Sequence, residues 1–288
     1  MTEQSDDPPF RRIAIVGFGL IGGSIALAAR TRWRHARIVA VDRQEVVAAA
    51  LQTRAADDGG DDMRACAGAD LVVLAAPVET NLRLLQDLPK HVNGNVQVTD
   101  VGSTKRQIAE TARRLPDRRL QFIGGHPLSG ASTGGLQAAR TDLFAGHSWI
   151  LTPVGEDGLA MARLSRFIDG LGARVHVMTP EAHDAAMAYV SHLPQLVASA
   201  LMHVVGERTR DNGLTLAGRG LRDTTRLASS PVDIWRDIAS TNRDNIVPAI
   251  DELIDVLVRM KSGSDAIAAT FESAAHWKRV LDAGREPA

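Results

Sequence analysis

The 288-residue sequence holds a single cysteine, Cys66. An intramolecular disulfide is therefore excluded, and so is a metal site built from several thiolates; a reducing cytoplasm is the expected location. Neither sign of charge is in excess. The 33 Lys and Arg against 34 Asp and Glu leave a net charge of -1, so no global attraction to nucleic acid or to an anionic membrane is expected. The first ten residues are polar and acidic and lack the basic stretch and apolar run of a secretory signal. Two stretches go without Asp, Glu, Lys or Arg long enough to raise the question of a membrane span. Residues 13–29 are interrupted by Gly17, Gly19, Gly22 and Gly23, and residues 185–206 by His192, Pro194, Gln195 and His203. The first reads as a strand, a turn and a helix, and the second as a buried helix of a water-soluble core. No fixed-period repeat, low-complexity tract or convincing cluster of metal ligands is present.

What is present is ample apolar material. Hydrophobic residues make up 44% of the chain and charged residues 23%, enough for about two domains at ~150 residues each. Up to residue 177, short apolar runs at 13–16, 38–41, 71–75, 96–99, 121–123, 148–151 and 174–177 alternate with helical patterns such as 79–88, 105–114 and 158–171. Several of these runs are Val, Ile, Leu and Ala without polar alternation, the pattern of strands covered on both faces. Strand–helix alternation predicts a doubly wound, mostly parallel sheet. After Thr179-Pro180 the strands stop. Helical stretches follow, broken near Pro194, 212–220 and 229–231, with two further helices expected over 232–261 and 265–283. The expected division is an α/β domain over 1–178 and an all-helical domain over 179–288.

The first strand runs into Gly17-Phe18-Gly19-Leu20-Ile21-Gly22, a G-x-G-x-x-G. In such a turn Gly17 permits the tight bend, Gly19 lets the backbone approach a pyrophosphate, and Gly22 lets helix and strand pack closely. A helix starting near Leu20 and Ile21 would aim its N–H groups and positive dipole end at the phosphates. A lone G-x-G-x-x-G is weak. Here it follows a strand, opens a helix, and is followed 20 residues after Gly22 by Asp42 at the end of the second strand, where an acidic residue grips the ribose 2′-hydroxyl. The unit reads as a Rossmann-type dinucleotide site. A carboxylate at Asp42 repels a 2′-phosphate, so NAD is expected and NADP disfavoured. Arg43 is placed to stack on adenine or meet a phosphate. Ligands of such sheets sit at the carboxyl ends of strands, which brings in Ala76 and Pro77 after the third apolar run and Asp100-Val101-Gly102-Ser103-Thr104-Lys105 after the fourth. Ser103 or Thr104 is also positioned to cap the helix that Lys105 begins.

With Gly124-Gly125-His126-Pro127-Leu128-Ser129-Gly130 the sequence comes to resemble the prephenate/arogenate dehydrogenase family of tyrosine biosynthesis. The resemblance covers nearly the whole chain. It rests on GFGLIGGS at 17–24, DVGSTK at 100–105, GGHPLSG at 124–130, SHLPQ at 191–195, LRDTTRL at 221–227 and IWRDI at 234–238. It implies a nucleotide domain joined to a helical domain that dimerises, and an oxidative decarboxylation in which the substrate ring becomes aromatic, without a metal. By the same resemblance His126 is the catalytic histidine, and an ordinary pKa of ~6.5 suits a proton acceptor. Ser103 is the serine beside the reacting hydroxyl. His192 and Arg226 face the substrate, Arg226 with a fork able to hold a carboxylate. Ser129 belongs to the same pocket, and Asp223, three residues before Arg226, is expected to orient it. Trp235 reads as packing.

Gln195 stands where many prephenate-preferring relatives carry a second histidine, so prephenate, arogenate or both remain open. Two other readings stay beside the dehydrogenase. One is another two-domain NAD-dependent oxidoreductase, such as a β-hydroxyacid dehydrogenase, which needs a catalytic lysine in the helical domain. After Lys105 the chain has only Lys261 and Lys278. The other is a non-catalytic NAD sensor, which would have no use for His126 with Arg226. Residues 185–206 are expected to be buried in the helical domain and partly in a homodimer interface.

Overall fold

A computed structural model describes residues 7–130, 133–155 and 157–283. Eight strands form one sheet: β1 (Arg12–Val16), β2 (Arg37–Val41), β3 (Asp58–Gly60), β4 (Leu71–Leu74), β5 (Val96–Asp100), β6 (Leu120–Pro127), β7 (Ser148–Pro153) and β8 (Arg174–Val177), in the order β3-β2-β1-β4-β5-β6-β7-β8. Every neighbouring pair is parallel except β6 with β7. The helices α1 (Leu20–Arg32), α2 (Gln44–Gln52), α3 (Val78–Asp87), α4 (Arg106–Arg114) and α5 (Gly158–Gly170) connect them. Both faces of the sheet are covered. Ile13 and Ile15 pack with Ile25, Trp33, Phe144 and Phe167; Ala14 and Val16, on the other face, pack with Leu85, Val96, Val98 and Ile108. Because successive side chains of a strand point to opposite faces, two covered faces demand the unbroken apolar runs of the sequence.

Two strands depart from expectation. β3, Asp-Gly-Gly, has no β-branched or aromatic residue to announce it and exists as an edge partner of β2. β6 does not stop at residue 123. Its parallel register with β5 ends at Thr99 with Ile123, but antiparallel pairing with β7 carries it on, His126 opposite Ile150 and Pro127 opposite Trp149. His126 therefore sits within a strand and not after one.

The helical region comprises α6 (Pro180–Met187), a π-helical turn (Ala188–His192), α7 (Leu193–Leu214), α8 (Arg219–Thr224), a 3-10 turn (Arg226–Ser229), α9 (Val232–Thr241), α10 (Arg243–Met260) and α11 (Ser264–Ala283). Thr179 Oγ1 caps α6 by accepting the Ala182 N–H at 3.1 Å. Pro194 lies in the first turn of α7, where its missing N–H costs nothing, and the irregularity falls in the π turn before it. The single helix expected over 232–261 is two, divided at Asn242, which leaves helical geometry (φ -127°, ψ 24°). The fully buried apolar core here is small, Ala188, Ile238 and Ile246. Residues 185–206 are only part-buried, since Tyr189, Val190, Leu201 and Val204 are exposed. α11 has no buried residue. Among the described residues no helix is long and apolar enough to cross a membrane.

Candidate active site

The glycine-rich turn is built as its spacing requires. Gly17 has φ +95°, and a Cβ there would lie 2.6 Å from the Ala75 carbonyl. A Cβ on Gly22 would lie 2.0 Å from the Gly17 oxygen, whereas one on Gly19 would meet nothing within 4 Å. The turn is thus closed on the sheet side and open on the other. Gly19 precedes α1 without a side-chain cap, so the first N–H groups of the helix are available to an anion. Gly19, Leu20 and Ile21 line a cavity of about 430 Å³ together with Ala76, Pro77, Gly102 and Ser103, and with Ile234, Asp237 and Ile238 of α9. The Asp42 carboxylate ties the end of β2 to the turn: Phe18 N–H donates to Oδ2 at 2.6 Å and Arg43 N–H to Oδ1 at 2.7 Å. The Arg43 side chain points to solvent and pairs with Glu45 at 3.1 Å.

A second cavity, about 660 Å³, adjoins the first. Ser103, Ile234 and Ile238 line both. The second is further lined by His126, Pro127, Leu128, Ser129, Met187, Ser191, Gln195, Arg226, Ser230 and Trp235. Segments more than a hundred residues apart in sequence thus converge. Arg226 is exposed at the rim and forms no ion pair among the described residues, so the expected Asp223–Arg226 pair is not made. The two lie on either side of the boundary between α8 and the 3-10 turn, which breaks the helical i, i+3 spacing. Gln195 is committed internally. Its Nε2 donates to the Leu227 carbonyl at 2.7 Å, and its Oε1 accepts from Ser230 at 3.0 Å, tying α7 to the turn that carries Arg226. Ser129 Oγ is buried without a partner among the described residues.

His192 does not line the cavity. It is buried at 1% exposure behind Trp235, ring centroids 6.0 Å apart, with Asn242 Nδ2 at 3.2 Å from Nδ1. Burial pushes its pKa down to about 4, and its Nε2 has no partner among the described residues. His192 is the last residue of the π turn, and its neighbours Ser191 and Gln195 line the cavity in its place.

Four buried groups surround His126, and sequence patterns give none of them a role of its own. Asp100 and Lys105 form a fully buried ion pair. Lys105 Nζ also donates to the Gly125 carbonyl at 2.8 Å, while Asp100 accepts the Gly125 N–H at 3.1 Å and the Gly102 N–H at 2.8 Å. The pair therefore clamps the residue before His126 and the turn that carries Ser103. His183 Nε2 lies 2.8 Å from His126 Nδ1, and His183 Nδ1 lies 2.8 Å from Asp184 Oδ1. Asp184 further accepts the N–H groups of Lys105 (2.7 Å) and Arg106 (3.0 Å), which makes it, and not Ser103 or Thr104, the cap of α4. Burial first, then the nearby charges of His183, Lys105 and His192, hold the His126 pKa well below the ordinary histidine value. The sequence signals were there: DVGSTK contains Asp100 and Lys105, and an adjacent His-Asp opens the helical region. Their pairing is tertiary. Among the described residues no group of three or more His, Cys, Asp or Glu is arranged to hold a metal.

A glycine-lined nucleotide cradle opening onto a cavity with a buried histidine defines a two-domain oxidoreductase. The family model of the prephenate dehydrogenase nucleotide-binding domain matches residues 25–177, and that of its dimerization domain residues 179–265. The chain is 36% identical over 256 residues to prephenate dehydrogenase of Bacillus subtilis, covering 87% of this chain and 69% of that one. It is 30% identical over 260 residues to cyclohexadienyl dehydrogenase of Zymomonas mobilis, 88% of each chain. The crystal structure of prephenate dehydrogenase from A. aeolicus in complex with hydroxyphenyl propionate and NAD+ superposes with a TM-score of 0.83 at 30% identity, over 94% of this chain and 96% of that one. The chain belongs to the prephenate dehydrogenase family.

Proposed function

We propose that the chain oxidatively decarboxylates prephenate or arogenate with NAD, yielding 4-hydroxyphenylpyruvate or tyrosine. The observation that carries this reading is that the two cavities meet at Ser103, with His126 on the wall of the larger. NAD would be held by Gly17, Gly19, Leu20, Ile21 and Gly22 at its pyrophosphate, by Asp42 at a ribose, and by Ala76 and Pro77 along the cradle. When bound it supplies the hydride acceptor. His126 takes the proton of the ring hydroxyl on Nε2, since a depressed pKa keeps that nitrogen unprotonated through neutral pH. Ser103 orients that hydroxyl without adding charge. Arg226, uncommitted at the rim, holds a substrate carboxylate, and the unpartnered hydroxyl of Ser129 is available to the same ligand. Loss of a hydride from the hydroxyl-bearing ring carbon and of carbon dioxide leaves the ring aromatic, and the proton taken by His126 returns to the phenolate oxygen, so that the product keeps its hydroxyl.

Lys261 and Lys278 are exposed and line neither cavity, which removes the support for a β-hydroxyacid dehydrogenase. The deciding experiment is NADH absorbance with purified protein, prephenate or arogenate, and NAD or NADP. NADH appearing with at least one of the two substrates is expected; none with either ends the reading. We also propose that the domains divide at 178–179 and that the chain is a homodimer through the helical domain. The support is the set of large apolar side chains left exposed on α10 and α11, among them Val258, Phe271 and Trp277 at 57%, 66% and 64%. Sedimentation at micromolar concentration should give twice the 30.8 kDa of the chain, and a monomer overturns this.

A further inference from the structure

We propose that His183 and Asp184 are positioning residues that reach across from the helical domain and fix His126 in its Nδ1–H tautomer, reserving the Nε2 lone pair for the substrate's hydroxyl proton. The proposal rests on reading His126 as the proton acceptor.

The direction of each hydrogen bond follows from the end of the chain inward. Burial alone would raise the Asp184 carboxyl, but the hydrogen bonds from His183 and the backbone N–H groups of Arg106 and Lys105 hold it below the ordinary carboxylate range. An ionised carboxylate only accepts, so His183 Nδ1 at 2.8 Å is the donor. Burial keeps His183 neutral, against the pull of Asp184. A neutral imidazole that donates from Nδ1 must accept at Nε2. His183 Nε2 therefore accepts from His126 Nδ1 at 2.8 Å. His126 is neutral as well, so its own lone pair is on Nε2. Each step leaves one choice of tautomer, and the three side chains are 8%, 0% and 0% exposed, which shields the chain of bonds from competing water.

The arrangement also suits the charged state. When the substrate O–H bond breaks and the Nε2–H bond forms, the Nδ1–H stays on His183 Nε2, and the negative Asp184 lies beyond. No proton need travel to Asp184. Lys105 and His192 are the other titratable groups whose charges act on His126, and like that of His183 both oppose its protonation; the Asp184 carboxylate, bonded to the far side of His183, is the negative group at the end of the chain of bonds. Because His126 is on β6 and His183 on α6, an active histidine requires the two domains to be docked.

The test uses the full-length protein with 15N-labelled histidine, the His126 signals being assigned by their loss in His126→Asn. At pH 7.5 wild-type His126 is expected with a protonated Nδ1 and a bare Nε2. In His183→Leu the acceptor is gone, and His126 should revert to the Nε2–H form that a solvated imidazole favours. Turnover should then fall ~10²-fold, the scale of a lost general base, with substrate KM and NAD affinity unchanged. In His183→Gln the amide oxygen can accept from His126 while the amide nitrogen donates to Asp184, so the Nδ1–H tautomer and most of the turnover should return. A wild-type His126 protonated on Nε2 overturns the proposal, as does full turnover in His183→Leu. Should that variant not fold, the wild-type spectrum and His183→Gln still decide. Failure of the underlying reading is a separate result: His126→Asn would then keep its turnover whatever the tautomer.

Discussion

The two adjoining cavities are built from different material. The nucleotide cradle is made of backbone: a glycine at positive φ, a second glycine pressed on the first one's oxygen, and the uncapped start of α1. The larger cavity is made of side chains brought from β6, the end of β5, α7, the 3-10 turn and α9. Backbone sites recognise a feature shared by all dinucleotides, the pyrophosphate, and need no particular side chain. A site that must abstract one proton and hold one carboxylate needs particular groups, and these need fixing. That is why the buried polar residues Asp100, Lys105, His183, Asp184 and Asn242 gather behind His126 and Ser103, while the side chains that tie the cradle, Asp42 and the buried Asn81, bond only to its backbone.

The first way to break this comparison is a methyl group in the cradle. Gly22→Ala puts a Cβ 2.0 Å from the Gly17 oxygen, and neither backbone segment can move away. Destabilisation of ~3 kcal/mol or more is expected from overpacking of this severity, read as a lower urea midpoint or as insoluble protein. Gly19→Ala, whose Cβ meets nothing within 4 Å, should fold with normal stability and lose NAD affinity, because the methyl occupies the face a pyrophosphate must approach. Equal stability losses in the two variants would show that the cradle is not open at Gly19.

On the side-chain cavity the corresponding changes leave folding intact. His126→Asn should lower kcat by ~10²–10⁴, the usual contribution of a general base, with NAD binding unaltered. Arg226→Ala should act mainly on KM, raising it by ~10–100-fold, the loss of a hydrogen-bonded charge contact of ~1.5–3 kcal/mol. It lies exposed at the rim, so the protein's stability should not change. Steady-state kinetics on the two variants separates proton transfer from anchoring; a kcat effect without a KM effect in Arg226→Ala would remove it from substrate binding.

What could be read in the sequence follows the same division. The cradle was legible because its parts are contiguous: strand, G-x-G-x-x-G, helix and Asp42 lie within thirty residues. The lining of the second cavity was legible only through resemblance, since nothing local links Ser103, Ser129, Gln195 and Arg226. The supporting residues were not legible. His183 and His192 look alike in sequence, each a histidine on an apolar helix, and resemblance favoured His192. Only the π turn and the split at Asn242 reveal that His192 faces away and His183 faces His126. The Asp223–Arg226 spacing presumed one continuous helix where the chain changes to a 3-10 turn.

The comparison also separates the two sites by pH. The cradle lining contains no histidine, whereas His126, His183 and His192 are all buried with lowered pKa. Each is neutral when folded and binds a proton more readily when unfolded. Stability is therefore full above the unfolded value of ~6.5 and is lost as pH falls below it, at up to ~1.4 kcal/mol per pH unit for each group, until the folded value is passed; for His192 that is about 4. Urea denaturation between pH 7.5 and 4.5 should show this decline. The acid limb of kcat/KM should lie below the ordinary histidine pKa, while NAD affinity of the folded protein stays level over the same range. An acid limb at or above 6.5 would contradict the depressed His126.

The smallest expected effect concerns Asp42, where side chain and backbone share the work. Its carboxylate accepts two N–H groups, from Phe18 and Arg43, and the bond from Phe18 holds the end of β2 against the glycine-rich turn. Its charge is a separate matter: a carboxylate beside the adenosine ribose disfavours a 2′-phosphate by like-charge repulsion, which at a partly solvated site amounts to about 1 kcal/mol. Two substitutions pull these apart. Asp42→Asn keeps an oxygen for one of the two donors and removes the charge, so the preference for NAD over NADP should shrink by about fivefold, the equivalent of that 1 kcal/mol, while NAD affinity drops little. Asp42→Ala removes both acceptors, frees the turn, and should weaken both cofactors together on top of the lost discrimination. If Asp42→Asn leaves the NAD preference intact and only Asp42→Ala changes binding, Asp42 acts through the turn alone, and cofactor choice must be sought in the shape of the cradle. A wild-type protein that prefers NADP would remove Asp42 from cofactor selection altogether.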